Sequence, residues 1–205
     1  MENKFFIITF GLTGSGKSFV AKILNKVIKN SILIQSDRVR KEMSGFSPHK
    51  KVIVPFGKGI YSQKKSEEVY KEMLKRAEKI LKEGKSCIID ASFLKKKWRK
   101  RAKEIADKLS VKFLIIAPFA DEEKIKKRLL KRKKDVSDGR WEIYIRQREF
   151  HNKIDEEEKK YTVFVDNNKG KGEVEKFLRN TLKLKTLNEQ KTSGSNPQIK
   201  TLNGA

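Results

Sequence analysis

The chain reads as a single α/β domain built on one parallel sheet with helices packed on both faces. Three observations predict it. Five short runs, 5–10, 31–37, 86–90, 111–119 and 162–166, are apolar almost throughout, as strands buried on both faces are. The segments between them repeat apolar residues at helical spacing, so strand and helix alternate. A length of 205 residues is enough for one well-buried core and short for two.

The elements follow in order. "FFIITF" is the first strand, and after a glycine-rich turn Val20, Ile23, Leu24, Val27 and Ile28 mark one face of a helix. "SILIQSD" is a second buried strand that ends in an acid. Residues 45–59, "GFSPHKKVIVPFGKG", are punctuated by Gly and Pro and read as loop. A helix over 66–82 turns Val69, Met73, Leu74, Ala77, Ile80 and Leu81 inward and stops at Gly84. "SCIID" is the third strand, a helix spans 95–109, "VKFLIIAPF" is the fourth strand, and another helix begins at Asp121. After the polar break 134–140 a charged helix is expected over 141–159, then the strand "TVFVD" and a closing helix over 172–184. The tail 185–205 lacks periodicity and is expected to be disordered, which leaves one domain over 1–184. No internal repeat is present.

Composition excludes some classes and leaves one question open. No apolar run approaches the roughly 18 residues that span a bilayer, and "MENKFFIITFG" is unlike a signal peptide, so a cytoplasmic protein is expected. The single Cys87 cannot form an internal disulfide and fits a small buried side chain better than a reactive thiol. The formal charge of +24 means either a polyanionic partner or a lysine-loaded surface. "SEEVYKEMLKRAEKILKEG" alternates lysine with glutamate and looks like a solvated helix face. By contrast 94–103, "LKKKWRKRAK", and 126–134, "KKRLLKRKK", are nearly free of acids and are the stretches suited to a polyanion.

The chemistry concentrates after the strands, where an open parallel sheet binds its ligands. "GLTGSGKS" fits G-x-x-x-x-G-K-[ST] between a strand and a helix. Gly11, Thr13, Gly14, Ser15, Gly16, Lys17, Ser18 and Phe19 are therefore expected to cradle ATP, with Lys17 on the outer phosphates and Ser18 on Mg²⁺. After the second strand come Asp37 and Arg40. Asp37 is either a general base for an acceptor hydroxyl or the cap of the next helix, and Arg40 holds an anionic group of the acceptor. After the third strand, Asp90 holds Mg²⁺ through water or orients Ser18, unless it is simply a turn aspartate, and Ser92 lies beside it. Arg128 and Arg132 are four residues apart on one helix face before a polar break. That arrangement suits a lid closing over ATP, though a solvated basic face would also display them.

The ordered set "GLTGSGKS", "QSDRVRKEMSG", "GIYSQKKSEEVY", "IIDASFLKKKWRKRA", "KKRLLKR" and "VSDGRWEIYIRQ" resembles the AAA_33-type P-loop kinases over about residues 4–170. That family is similar in turn to the kinase domain of 5′-hydroxyl polynucleotide kinases. The resemblance implies a P-loop NTPase kinase-type three-layer sandwich, a five-stranded sheet of order 2-3-1-4-5 and a helical lid near 128–140. It also implies Lys17, Asp37 and Arg132 as catalytic residues, and Arg99 on the substrate side. In this chain Ser92 stands where the family usually has threonine, and the insertion around Tyr61 follows the AAA_33 pattern rather than that of the polynucleotide enzymes. Basic charge favours the 5′-OH end of single-stranded DNA or RNA as acceptor. The insertion favours a small molecule in a compact pocket, and a nucleotide-driven switch with no acceptor is the reading from another class.

Overall fold

Strand β1 (Phe5–Thr9) runs through the middle of a parallel five-stranded sheet whose order is β2-β3-β1-β4-β5, with β2 Ser31–Gln35, β3 Ser86–Asp90, β4 Lys112–Phe119 and β5 Thr162–Asp166. The computed structural model describes residues 4–47, 59–131 and 141–192. The central strands read as unbroken apolar runs because successive side chains enter two different cores. Phe6 and Ile8 of β1, Cys87 and Ile89 of β3, and Phe113 and Ile115 of β4 enter one. Phe5 and Ile7, Ile88, and Leu114 and Ile116 enter the other. Burial pushes the Cys87 thiol up to about 12, so it is an inert core side chain, as its setting in the sequence suggests.

Helices close both faces. α1 (Lys17–Val27) and α8 (Lys171–Thr192) cover one with Val20, Leu24, Val174 and Leu178. α2 (Ser36–Met43), α3 (Gln63–Lys82) and α4 (Lys96–Lys108) cover the other with Val39, Met73, Ala77 and Trp98. α5 (Glu122–Lys131) and α6 (Trp141–Phe150) build a smaller core of their own, in which Ile125, Leu129 and Tyr144 pack against Leu12. Among the described residues no helix is long and apolar enough to cross a membrane.

Several boundaries differ from the sequence expectation, among them the start of α3, which begins at Gln63 behind a Ser62 cap rather than at 66. The second strand ends at Gln35, and Ser36 already opens α2, so Asp37 lies in a helix rather than at a strand end. The helix expected over 141–159 breaks after Phe150 and resumes as the single turn α7 (Glu156–Lys159). Tertiary partners cause the break. Asn152 N–H donates to the Leu94 carbonyl, Arg99 takes the carbonyls of Asn152 and Lys153, and an Asp155–Glu158 capping box starts the new turn. The closing helix begins near its expected start but runs on to Thr192, past the domain end placed at 184. The loop 45–59 closes on a 3-10 turn, Gly59–Tyr61, and its 48–58 portion lies outside the described residues, as do most of the expected lid, at 132–140, and the tail from 193.

Register brings the strand ends level. Gln35 pairs with Asp90 and Thr9 with Ile116. The Thr9 hydroxyl donates to the Ala91 carbonyl at 2.7 Å and accepts the Ala91 N–H at 3.1 Å, which locks the turn after β3 to the end of β1.

Candidate functional site

The turn between β1 and α1 has the conformation its glycines allow. Gly14 and Gly16 sit at φ 81° and 105°, where an L side chain is strained. Space forbids one as well. A Cβ on Gly14 would stand 2.7 Å from Ile125 Cγ2, and one on Gly16 would stand 1.8 Å from Asn167 Nδ2. Gly16 is also the N-cap of α1, which has no side-chain cap and no acid in its first turn. The amides of Lys17, Ser18 and Phe19 thus open an uncapped helix N-terminus, which calls for an anion. Ser15 Oγ is buried with no hydrogen-bond partner among the described residues. This donor set fits a polyphosphate.

The loop is held from three sides. Lys17 Nζ donates to the loop's own Leu12 carbonyl at 2.8 Å. Arg128, on α5, donates to the Asn167 carbonyl at 2.8 Å and reaches the Gly14 carbonyl at 3.5 Å. Asn167 Nδ2 donates to the Ser15 carbonyl at 2.8 Å, while Gln147 on α6 accepts the Thr13 N–H at 2.7 Å. Arg128 is therefore beside the loop, with donors on backbone carbonyls, rather than on a purely solvated face. Arg132 lies outside the described residues. Sequence reasoning missed Asn167 and Gln147. Asn167 directly follows β5 and carries the strand-end signal used for the other strands, whereas Gln147 has no local signal.

Next to the loop lie the strand-end groups. Gly11 N–H donates to the Ser92 carbonyl at 3.2 Å, and the Ser92 hydroxyl lies 3.3 Å from Tyr70 Oη. Tyr70 also accepts the Phe93 N–H at 2.9 Å and stacks on Trp98 at 5.1 Å. Burial raises its pKa, against the opposing pull of those two hydrogen bonds, so the phenol stays protonated. Asp90 is buried and accepts from Gln35 Nε2 at 3.4 Å. Asp37 is half-buried in the first turn of α2. The capping position belongs to Gln35, with no side-chain cap bond, so the cap role for Asp37 falls away and its carboxylate sits at the positive end of the helix dipole. Arg40, one turn on, is buried. Its Nη1 donates to the Ile60 carbonyl at 2.7 Å and to Ser66 Oγ at 3.2 Å, and its guanidinium lies 4.8 Å from the centre of the Tyr61 ring. Arg40 Nε has no hydrogen-bond partner among the described residues. No cluster of three His, Cys, Asp or Glu suited to a metal occurs among the described residues. The donors that could hold a cation here are the Ser18 hydroxyl and, through water, Asp90, a set that suits Mg²⁺, which keeps much of its water.

Two expectations are corrected. Arg99 does not face a substrate. Its side chain is buried, with Nε and Nη2 each 2.8 Å from the two Glu158 carboxylate oxygens and the remaining N–H groups on the carbonyls of Phe93, Leu94, Asn152 and Lys153. All its donors are used inside the fold. The acid-free run 94–103 is also less of a polyanion surface than it reads, because acids outside the run reach it. Lys95 and Lys97 pair with Glu67, Lys96 with Asp155, and Lys103 with Asp107.

Residues 6–151 match the AAA_33 family, described as an AAA domain. Among solved structures, a sugar kinase from Janibacter sp. HTCC2649 aligns with a TM-score of 0.64 at 14% identity, over 88% of this chain and 95% of that one. A gluconokinase from Sinorhizobium meliloti 1021 aligns at 0.57 and 17% identity, over 88% and 96%. The Mycobacterium tuberculosis APS kinase CysC, solved with AMPPNP and APS, aligns at 0.57 and 16% identity, over 88% and 98%. Comparison with curated protein sequences finds no match. The fold is that of the P-loop kinases, a three-layer α/β sandwich whose five-stranded order is the one the resemblance implies.

Proposed function

Because the chain belongs to the AAA_33 family and carries a phosphate loop together with Asp37 and Arg40, we propose that it is an ATP- and Mg²⁺-dependent kinase that phosphorylates a hydroxyl of a small anionic acceptor. The carrying observation is Arg40, a buried cation one turn after Asp37, with Tyr61 over its guanidinium. A buried guanidinium whose Nε has no hydrogen-bond partner among the described residues suits one anionic group of a small molecule. The sugar kinase, gluconokinase and APS kinase among the structural neighbours agree with that class. The net charge of +24 still favours a polynucleotide 5′-OH end, but Lys95, Lys96 and Lys97 of the 94–103 run that argued for it are paired with acids from elsewhere in the fold.

Roles follow from chemistry. The loop amides and Lys17 bind the outer phosphates, and Arg128 together with Arg132 adds positive charge from the lid side. Ser18, with Asp90 through water, would hold Mg²⁺, which neutralises charge on the phosphates. Asp37 takes the proton of the acceptor hydroxyl as its oxygen bonds to the γ-phosphorus and the bond to ADP breaks. Arg40 fixes the acceptor's anionic group.

The test offers labelled ATP with sugars, sugar acids, nucleosides and 5′-OH single-stranded DNA and RNA side by side. Lys17→Ala is expected to abolish transfer. Asp37→Ala is expected to lower kcat by about 10²- to 10⁴-fold with little change in ATP affinity, and Arg40→Ala to raise the acceptor KM. Label on the oligonucleotides alone, weakening steeply with salt, selects the polynucleotide reading. Label found only as free phosphate selects the nucleotide switch.

A further inference from the structure

One peptide group of the phosphate loop is gripped at both ends. The Leu12 carbonyl accepts Lys17 Nζ at 2.8 Å, and the N–H of the same peptide, on Thr13, donates to Gln147 Oε1 at 2.7 Å. In a rigid trans peptide the two groups point to opposite sides, so lysine and glutamine hold one plane between them. The Leu12 side chain is a third anchor, packed among Ile125, Leu129 and Tyr144 of α5 and α6. Tyr144, Gln147 and Arg148 share one face of α6. Tyr144 is buried in that small core, and Arg148 pairs with Glu122 of α5 at 2.6 Å. Gln147 is thus delivered to the loop by a helix that is itself tied to α5.

We propose that Gln147 is a positioning residue for Lys17. It sets the orientation of the Leu12–Thr13 peptide, and the Leu12 carbonyl in turn sets where the lysine ammonium is held. The inference rests on the reading of Lys17 as the phosphate-binding cation. Thr13 is buried, so without an acceptor from α6 its N–H must turn to find another. A turning plane carries its carbonyl away from Lys17. The effect is therefore expected at the lysine and not in global stability, since an apolar side chain at 147 can join the cluster around Tyr144.

The test measures binding of fluorescent ATP by anisotropy, with thermal unfolding as a control. The variants are Gln147→Leu and Gln147→Glu, each alone and with Lys17→Met. Gln147→Leu is expected to weaken binding about five- to ten-fold, the worth of one hydrogen bond. Gln147→Glu keeps an acceptor for Thr13 N–H and is expected to stay within about two-fold of the unaltered chain. In the Lys17→Met background the Gln147→Leu loss is expected to vanish, because the group it acts through is gone. Equal losses in both backgrounds, or wild-type binding by Gln147→Leu, overturn the proposal. If Gln147→Leu lowers the thermal midpoint, Gln147→Met takes its place under the same criteria. Wild-type protein that binds no nucleotide overturns the phosphate-loop reading, and this inference with it.

Discussion

Arg99 holds more of the chain together than its place in a lysine-rich run suggests. Its guanidinium joins α4 to the turn after β3, to the backbone of Asn152 and Lys153, and to Glu158, all away from solvent. Arg99→Met would leave the Glu158 carboxylate buried without its partner, which costs about 3–5 kcal/mol. A lower urea midpoint for Arg99→Met, partly restored in Arg99→Met/Glu158→Leu, is the expected outcome. Sequence could show that position 99 is an arginine near a strand end; it could not show that the acid 59 residues away meets it. For Lys17 the local pattern suffices, because its neighbours in sequence are also its neighbours in space.

At the scale of elements, α7 is the informative case. Four residues cannot form a stable helix unaided, and this turn exists because Asp155 accepts the Glu158 N–H at 2.9 Å while Glu158 Oε2 accepts the Asp155 N–H at 3.3 Å. Lys96 pairs with Asp155 from α4, and this bond first, then the Glu158 N–H, holds the Asp155 carboxyl below its ordinary range. Asp155→Ala is expected to lower the thermal midpoint, while Asp155→Asn, which keeps the cap acceptor but loses the ion pair, should lower it less. A periodic charged stretch over 141–159 gave no local warning of the break. The long helix of the sequence reading fails because the carbonyls that would continue it are taken by Arg99.

For the whole molecule the charge of +24 makes acid the weak side. Glu42 is held below its ordinary 4.5 by hydrogen bonds from Arg76 and Arg38, Glu67 by Lys97, Glu78 by Lys82 and Glu175 by Arg179. A carboxyl whose folded pKa is depressed stabilises the fold above its unfolded pKa, and that contribution disappears as pH falls through the folded value. As pH falls below about 4.5 towards the lower folded values these pairs are progressively lost while 26 acids neutralise against 50 Lys and Arg, so self-repulsion grows in the same window. A thermal midpoint that is flat from pH 6 to 8 and falls steeply below about pH 4.5 is expected. A midpoint unchanged at pH 3 would show that these pairs contribute little.

By itself the sequence determined the class of fold, the strands to within a residue or two, and the phosphate loop, because these depend on short-range physics. Apolar runs declare strands that are buried on both faces, and the Gly-Lys-Ser spacing declares a turn that only glycines allow. Tertiary structure alone decided which cations are available. Arg99 is consumed by Glu158, and the lysines of 94–103 meet acids from α3, from α4 itself and from the Asp155 cap. It also decided that α6 grips the loop through Gln147, 134 residues from its partner Thr13. Charge pairing and hydrogen bonding act through space, and no local pattern encodes a partner that arrives only when the sheet closes.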